Sequence, residues 1–195
     1  MPITINGSGT VTGITAGGLP DGVITTDDIA ASAITRAKMG YAGAILQVVT
    51  TNKTDTFTTS STSYADVTGL SVTITPSSST SNILVSLSMC FSGDNTTNAY
   101  VRLVRGSTAI AIGDANGSRV RFTMSNYQGS ASSNFAPTSG VVFLDSPATT
   151  SATTYKVQMQ NQGTGTVYVN RSSTYTDSSS SGTGISIITV MEVAA

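Results

Sequence analysis

Three aromatic residues stand in polar, hydroxyl-rich stretches: Tyr127 and Phe135 within residues 125–139, and Tyr175 within residues 172–184. A ring flanked by serine and asparagine can stack on a sugar while its neighbours exchange hydrogen bonds with the sugar hydroxyls. The same rings can equally pin their loops to the body of the protein or to a neighbouring subunit, and their residue types favour neither reading.

Covalent and acid–base chemistry has few parts to draw on. There is no histidine, which removes the usual general base, the Ser-His-Asp arrangement and imidazole metal sites together. Glu192 is the sole glutamate, and the aspartates are scattered, mostly in turns. No two carboxylates stand where alternation would set them across one groove. A tertiary pairing, such as Asp94 with Asp114, is the arrangement that would reopen that question. Cys90 lies in an apolar run, where a buried inert thiol is expected rather than a nucleophile. Asp114 and Asn116 open like a calcium loop, but the later ligands are missing and Asn116-Gly117 reads as a type I′ turn. No phosphate loop or dinucleotide fingerprint occurs. No catalytic residue, metal site or cofactor is expected.

The residues 23–43 carry a different signal. Val23 to Met39 nearly repeats itself at an offset of ten, and its large apolar residues Ile24, Ile29, Ile34 and Met39 stand five apart. That spacing suits neither a helix face nor a strand face. With Thr25 as an N-cap, Ile24 and Ile29 occupy the two positions of a hydrophobic staple and Asp28 completes a capping-box-like exchange. Thr35 repeats the device with Ile34 and Met39, weakened by Lys38 in the acidic position. Such single turns do not hold themselves together in water. The expectation is a short intertwined collar of identical chains, its inward layers formed by Ile14, Leu19, Ile24, Ile29, Ile34 and Met39. The alternative is a solvated linker with incidental isoleucines. Residues 1–22, broken repeatedly by glycine, are expected to form an extended arm free to be gripped by another protein.

From residue 44 to residue 195 the pattern is that of short strands. Between residues 82 and 92, Ile83, Val85, Leu87, Met89 and Phe91 alternate with smaller residues, predicting a central strand. Residues 99–105 predict one buried face and one bearing two arginines. Residues 109–112 and 119–124 are expected to pair as a hairpin about Asn116-Gly117. Further strands are expected at 44–51, 55–59, 70–75, 141–144, 153–160, 166–170 and 185–193. The fold class is all-β: an antiparallel sandwich of eight to ten strands, preceded by arm and collar.

Composition narrows the partners. Lys+Arg total 9 and Asp+Glu 10, for a net charge of -1, and no basic cluster is present to meet nucleic acid. No run of about eighteen apolar residues predicts a membrane span, and no leader opens the chain, so neither membrane insertion nor export is expected. Five Asn-X-Ser/Thr sequons, at Asn6, Asn52, Asn95, Asn116 and Asn170, are discounted in a chain this rich in those residues.

The ordered combination GLPDGVITTDDIAASAITRAKM, GAILQVV, TDTFTTSSTSYADVTGLSVTITPSSSTSNILV and LDSPATTSATTYKVQMQ resembles small tail-fibre-like proteins of tailed bacteriophages, especially those of aquatic hosts including cyanobacteria. The resemblance runs over most of the chain from about Gly18. It implies a homotrimer whose N-terminal arm attaches to tail or baseplate proteins of the virion. It also implies a C-terminal jelly-roll head like those of tumour-necrosis-factor or C1q proteins, and assembly in the host cytoplasm. The expected function is a short tail fibre or fibre tip whose head contacts the host surface, with host glycan as the candidate receptor. The alternative is a capsid decoration or head-fibre protein with no receptor role. A polysaccharide depolymerase is the weakest of the three.

Overall fold

The computed structural model describes residues 27, 29–30, 33–34, 42–94, 97–127 and 134–195. It divides the chain into two units, Met1–Met39 and Gly40–Ala195. In the first, the Ala33 amide donates to the Ala30 carbonyl at 2.9 Å, and Ile29 and Ile34 are exposed. The capping residues Thr25, Asp28, Thr35 and Lys38 lie outside the described residues, as do the collar positions Ile14, Leu19, Ile24 and Met39.

The second unit is all-β. Its strands are β1 (Ile45–Lys53), β2 (Phe57–Thr59), β3 (Ala65–Ile74), β4 (Asn82–Gly93), β5 (Asn98–Arg105), β6 (Thr108–Ile110), β7 (Met124–Tyr127), β8 (Thr138–Asp145), β9 (Thr153–Gln162), β10 (Val167–Val169) and β11 (Ser186–Val193). They form two antiparallel sheets, one of six strands and one of five.

Several of these strands are pieces of longer ones laid end to end. Along one edge of β4, Asn82 to Ser88 faces β11, while Phe91 to Gly93 faces β10. On the far side of that interrupted strand, β1 pairs with β11 and β2 with β10. The first sheet is therefore four strands across: β1/β2, β10/β11, β4 and β8. In the second, β6 and β7 share one edge of β5, and the order across is β3, β9, β5, β6/β7.

Alternation decides which side chains enter the space between the sheets. Ile83, Val85, Leu87, Met89 and Phe91 of β4 are all buried, as are Val101 and Leu103 of β5 and Tyr155, Val157 and Met159 of β9. Ile188 and Val190 of β11 and Leu70, Val72 and Ile74 of β3 complete the same cluster.

The hairpin expected around Asn116-Gly117 does not form. Gly106, at φ 58°, turns the chain straight after β5, so that β6 pairs with β5 instead. Residues 111–123 then leave the sheet as a loop, and β7 rejoins β5 further along. The two arginines of β5 also separate. Arg102 lies on the outer face, whereas Arg105 has the inward parity and, at the end of the strand, meets the buried carboxylate of Asp145.

That contact ties the two sheets together at one end. Arg105 Nη1 lies 2.8 Å from both oxygens of Asp145, and the buried Tyr155 hydroxyl donates to the same carboxylate at 2.7 Å. The Tyr155 hydroxyl is pushed far above the ordinary tyrosine range, first by burial and then by the neighbouring carboxylate. Close by, buried Glu192 accepts from the Ser77 amide (2.7 Å), the Ser77 hydroxyl (2.6 Å) and the Gln47 amide (2.5 Å). Burial alone would raise the Glu192 carboxyl; the hydrogen bonds from Ser77 and Gln47 outweigh it and hold the group below its usual 4.5.

At the other end, the paired interruptions in β1/β2 and β10/β11 meet at Asn170. This residue is fully buried with φ at 61°, a left-handed conformation that asparagine tolerates better than most side chains. Its side-chain amide donates to the carbonyls of Lys53 (2.8 Å) and Asp55 (2.9 Å), and its side-chain oxygen accepts from the Ser186 hydroxyl (2.7 Å). Its backbone amide reaches Cys90 O and its carbonyl accepts from Gly184 N, both at 2.9 Å. Gly184 is fixed by space, since a Cβ there would lie 2.5 Å from Cys90 Sγ. Burial also removes Asn170 from consideration as a glycosylation acceptor.

Two outcomes follow for stability. Asn170→Ala should cost roughly 3–5 kcal/mol in urea unfolding, because several buried groups lose their partners at once, and Asn170→Gly should recover only about 1 kcal/mol of that. Because the folded carboxyl of Glu192 lies below its unfolded value, its contribution is complete above about pH 4.5 and is lost as pH falls through the folded value. Glu192→Gln should therefore lower stability at pH 7 by about 1–3 kcal/mol and flatten the acid limb of a stability–pH curve.

Candidate functional site

The three loop aromatics belong to the end of the sandwich remote from Ile45 and Val193. Tyr127 ends β7, whose Asn126 side chain donates to Phe91 O at 2.8 Å. Phe135 lies two residues before Pro137, whose carbonyl accepts from the Phe91 amide at 3.1 Å. Tyr175 rides on residues 171–185, the excursion between β10 and β11, whose neck is closed by the pairing of Arg171 with Thr183. All three rings are exposed: Tyr127 by 58%, Phe135 by 61% and Tyr175 by 44%.

Two of them line adjoining hollows. Tyr175 walls one of ≈ 300 Å³ together with Thr176, Asp177, Ser178, Ser181 and Thr183. Phe135 walls another of ≈ 300 Å³ that includes Asn134, Thr138, Gly182 and Thr183, with Cys90 at its floor. Thr183 is common to both. Tyr127 lines neither, so the geometry joins Phe135 and Tyr175 and leaves Tyr127 apart.

Tyr175 is held from behind by a residue that the loop composition does not reveal. The guanidinium of Arg171 lies 4.5 Å from the ring centroid of Tyr175 and 4.5 Å from that of Tyr168, an arginine between two aromatic faces. Its Nε and Nη2 donate to the carbonyls of Ser172 (3.0 Å) and Ser173 (3.1 Å). Tyr168 is anchored in turn, its hydroxyl donating to Asp94 Oδ1 at 2.8 Å while Asp94 Oδ2 accepts from the Thr166 amide at 2.7 Å. Burial, and then the Asp94 carboxylate, raise the Tyr168 hydroxyl above its ordinary value. Asp94 is thus occupied in holding the ring beneath the arginine. The alternation in Val167-Tyr168-Val169 was the available signal, because it turns Tyr168 outward between two buried valines.

Within the loop, hydroxyls bond to one another and to the loop's own backbone. Thr176 N donates to Ser181 Oγ at 3.2 Å, and the Tyr175 hydroxyl lies 3.3 Å from Thr183 Oγ1. The hollow therefore offers an aromatic wall, the Asp177 carboxylate and a rim of hydroxyls, a set suited to hydrogen bonding with a polyol. Cys90 is buried on the floor, donates to Ala136 O at 3.4 Å, and has its thiol pushed up by burial, which keeps it protonated and unreactive.

A second aromatic cluster lies on the outer face of the second sheet. Arg102 sits 4.0 Å above the Tyr64 ring, and Tyr100 stacks on Phe122 at 4.9 Å. The Tyr64 hydroxyl, pushed up to about 12 by burial, donates to Arg121 O at 2.8 Å. These contacts pin the 111–123 loop to the sheet. A third hollow, of ≈ 330 Å³, lies beside Arg105 at the end that carries Ile45, lined by Gly106, Pro147 and Thr149 among others. Among the described residues, no group of three or more Cys, Asp or Glu is placed to hold a metal ion, and no helix is long and apolar enough to cross a membrane.

Set against known proteins, the chain matches no family model, and no curated protein is significantly similar to it.

Arg171→Ala should release the Tyr175 loop while costing only about 1–2 kcal/mol of global stability. Limited chymotrypsin digestion would then cut after Tyr175 several-fold faster than in the wild type, and equal rates would rule out the clamp.

Proposed function

We propose that this chain is a homotrimeric virion fibre protein, attached through its N-terminal arm to tail or baseplate proteins and meeting host-surface glycan through the loop end of its sandwich. The observation that carries the reading is the placement of Phe135 and Tyr175. Two exposed rings wall hollows that share Thr183, the one at Tyr175 rimmed by hydroxyls, at the end of the sandwich remote from Ile45. A head joined to its virion at one end has its other end free to meet a cell.

The strand order supports a jelly-roll reading. With end-to-end strands counted as one, the first sheet runs first–eighth–third–sixth and the second runs second–seventh–fourth–fifth, the two-sheet antiparallel order of that fold. The exposure of Ile29 and Ile34 in a single chain fits a segment whose partners are other copies. Three weak glycan sites on one rigid head would act together through multivalency.

Binding of the purified chain to a panel of immobilised bacterial surface polysaccharides tests this. The wild type should bind at least one, and the double substitution Phe135→Ala with Tyr175→Ala should weaken that binding at least tenfold while the circular dichroism stays unchanged. Undiminished binding by the variant, or no binding by the wild type, would refute the receptor role.

A further inference from the structure

The 111–123 loop carries Asn116-Gly117 outside both sheets, exposed to solvent. A backbone nitrogen that follows an asparagine can attack the side-chain amide carbon and close a five-membered ring. A side chain on the attacking residue crowds that approach, and glycine has none. Asn6 and Asn116 are the two asparagines of the chain followed by glycine, and Asn6 lies outside the described residues.

The geometry at Asn116 supplies what this reaction needs. Gly117, at φ 60°, donates its amide to no other described residue, and a Cβ there would meet nothing within 4 Å, so the attacking nitrogen stands in open space. Arg119 Nη1 donates to Asn116 Oδ1 at 2.8 Å and to the Asn116 backbone carbonyl at 3.3 Å, and the Arg119 amide donates to that same carbonyl at 3.3 Å. Among the described residues no carboxylate pairs with Arg119, which leaves the guanidinium charge to the two Asn116 oxygens. A cation on Oδ1 draws electrons from Cγ and meets the negative charge that builds on that oxygen as the ring closes. The loop around it is braced: Arg121 Nε donates to Gly113 O at 2.6 Å, the Arg121 carbonyl accepts from the Tyr64 hydroxyl at 2.8 Å, and Phe122 stacks on Tyr100.

We infer that Asn116 is a site of self-modification, an amide that its own loop converts to a carboxylate with Arg119 as the electrophilic partner. Gly117 N bonds to Asn116 Cγ, the Cγ–Nδ2 bond breaks, and Nδ2 leaves as ammonia with the proton from Gly117 N. Water then opens the cyclic imide. Attack at Cγ gives aspartate, and attack at the backbone carbonyl carbon gives isoaspartate, with an extra carbon in the main chain. Water is the sole co-reactant. Either product adds a negative charge to a chain whose net charge is -1. A chain that is never resynthesised therefore carries a record of its age in this loop. The site stands independently of the fibre reading.

Peptide mass mapping of the full-length chain after incubation at neutral pH tests it, with isoaspartate read by enzymatic methylation. In the folded wild type, Asn116 should convert at least threefold faster than in Arg119→Gln. The two should convert alike in urea, where the guanidinium is no longer held on Oδ1. Asn6, read in the same digests, should convert equally in both proteins and calibrates the clock. If Arg119→Gln fails to fold, the wild type decides alone, and Asn116 should convert faster folded than in urea. An Asn116 that keeps its amide when Asn6 has lost it, equal rates in the two folded proteins, a difference that persists in urea, or a wild-type rate no higher folded than unfolded overturns the inference.

Discussion

Asn170 is where the strands of the first sheet change course. β1 gives way to β2 and β10 to β11 side by side, and such paired breaks would leave backbone donors and acceptors buried without partners. A single side chain supplies them, with Nδ2 bonded to the carbonyls of both Lys53 and Asp55 and Oδ1 to Ser186. Ser186 passes the connection on, since its oxygen also accepts from the Cys90 amide at 3.1 Å. Everything at the loop end follows from this arrangement. The 171–185 excursion leaves the sheet at Asn170 and returns at Gly184, which must lack a side chain because Cys90 fills the space.

The charged residues have been used for construction. Each described lysine and arginine has a partner within the chain: Lys53 with Asp55, Arg105 with Asp145, Lys156 with Asp66, Arg119 with Asn116, Arg121 with Gly113 O, Arg102 with Gln158 and Tyr64, and Arg171 with two rings. Most of these tie a loop or a strand end to a sheet. The candidate hollow at Tyr175 is left with hydroxyls, a ring and the Asp177 carboxylate, and no basic side chain lines it.

The strands are readable where alternation is long. The inward residues of β4 and β9 follow directly from their period of two, and the serine-rich stretch 172–184 falls between β10 and β11 as its composition predicts, whereas residues 125–127, read from composition as loop, form part of β7 and residues 138–139 open β8. What alternation does not carry is the register between distant segments. The pattern at 109–124 favours a hairpin about Asn116-Gly117, but the turn at Gly106 closes first and gives β6 a partner already in place. The merging of β10 with β11 was invisible for the same reason, since nothing in residues 166–193 marks them as one strand with a loop inserted. Ring and loop composition mark Phe135 and Tyr175 as exposed, and both are. Their shared wall at Thr183, and the role of Arg171, depend on contacts between segments far apart in sequence.

An excursion whose two ends are held one strand position apart has a further property. The neck at Arg171 and Thr183, with Asn170 and Gly184 behind it, closes the loop regardless of what lies between. Lengthening it adds a closure cost that grows only logarithmically, about 0.6 kcal/mol per doubling. The interval 174–182 is therefore a cassette: its sequence and length can diverge quickly between related chains, or be replaced by a foreign peptide, without disturbing the register of either sheet. Variation in the loop is thereby uncoupled from variation in how the sheets fold.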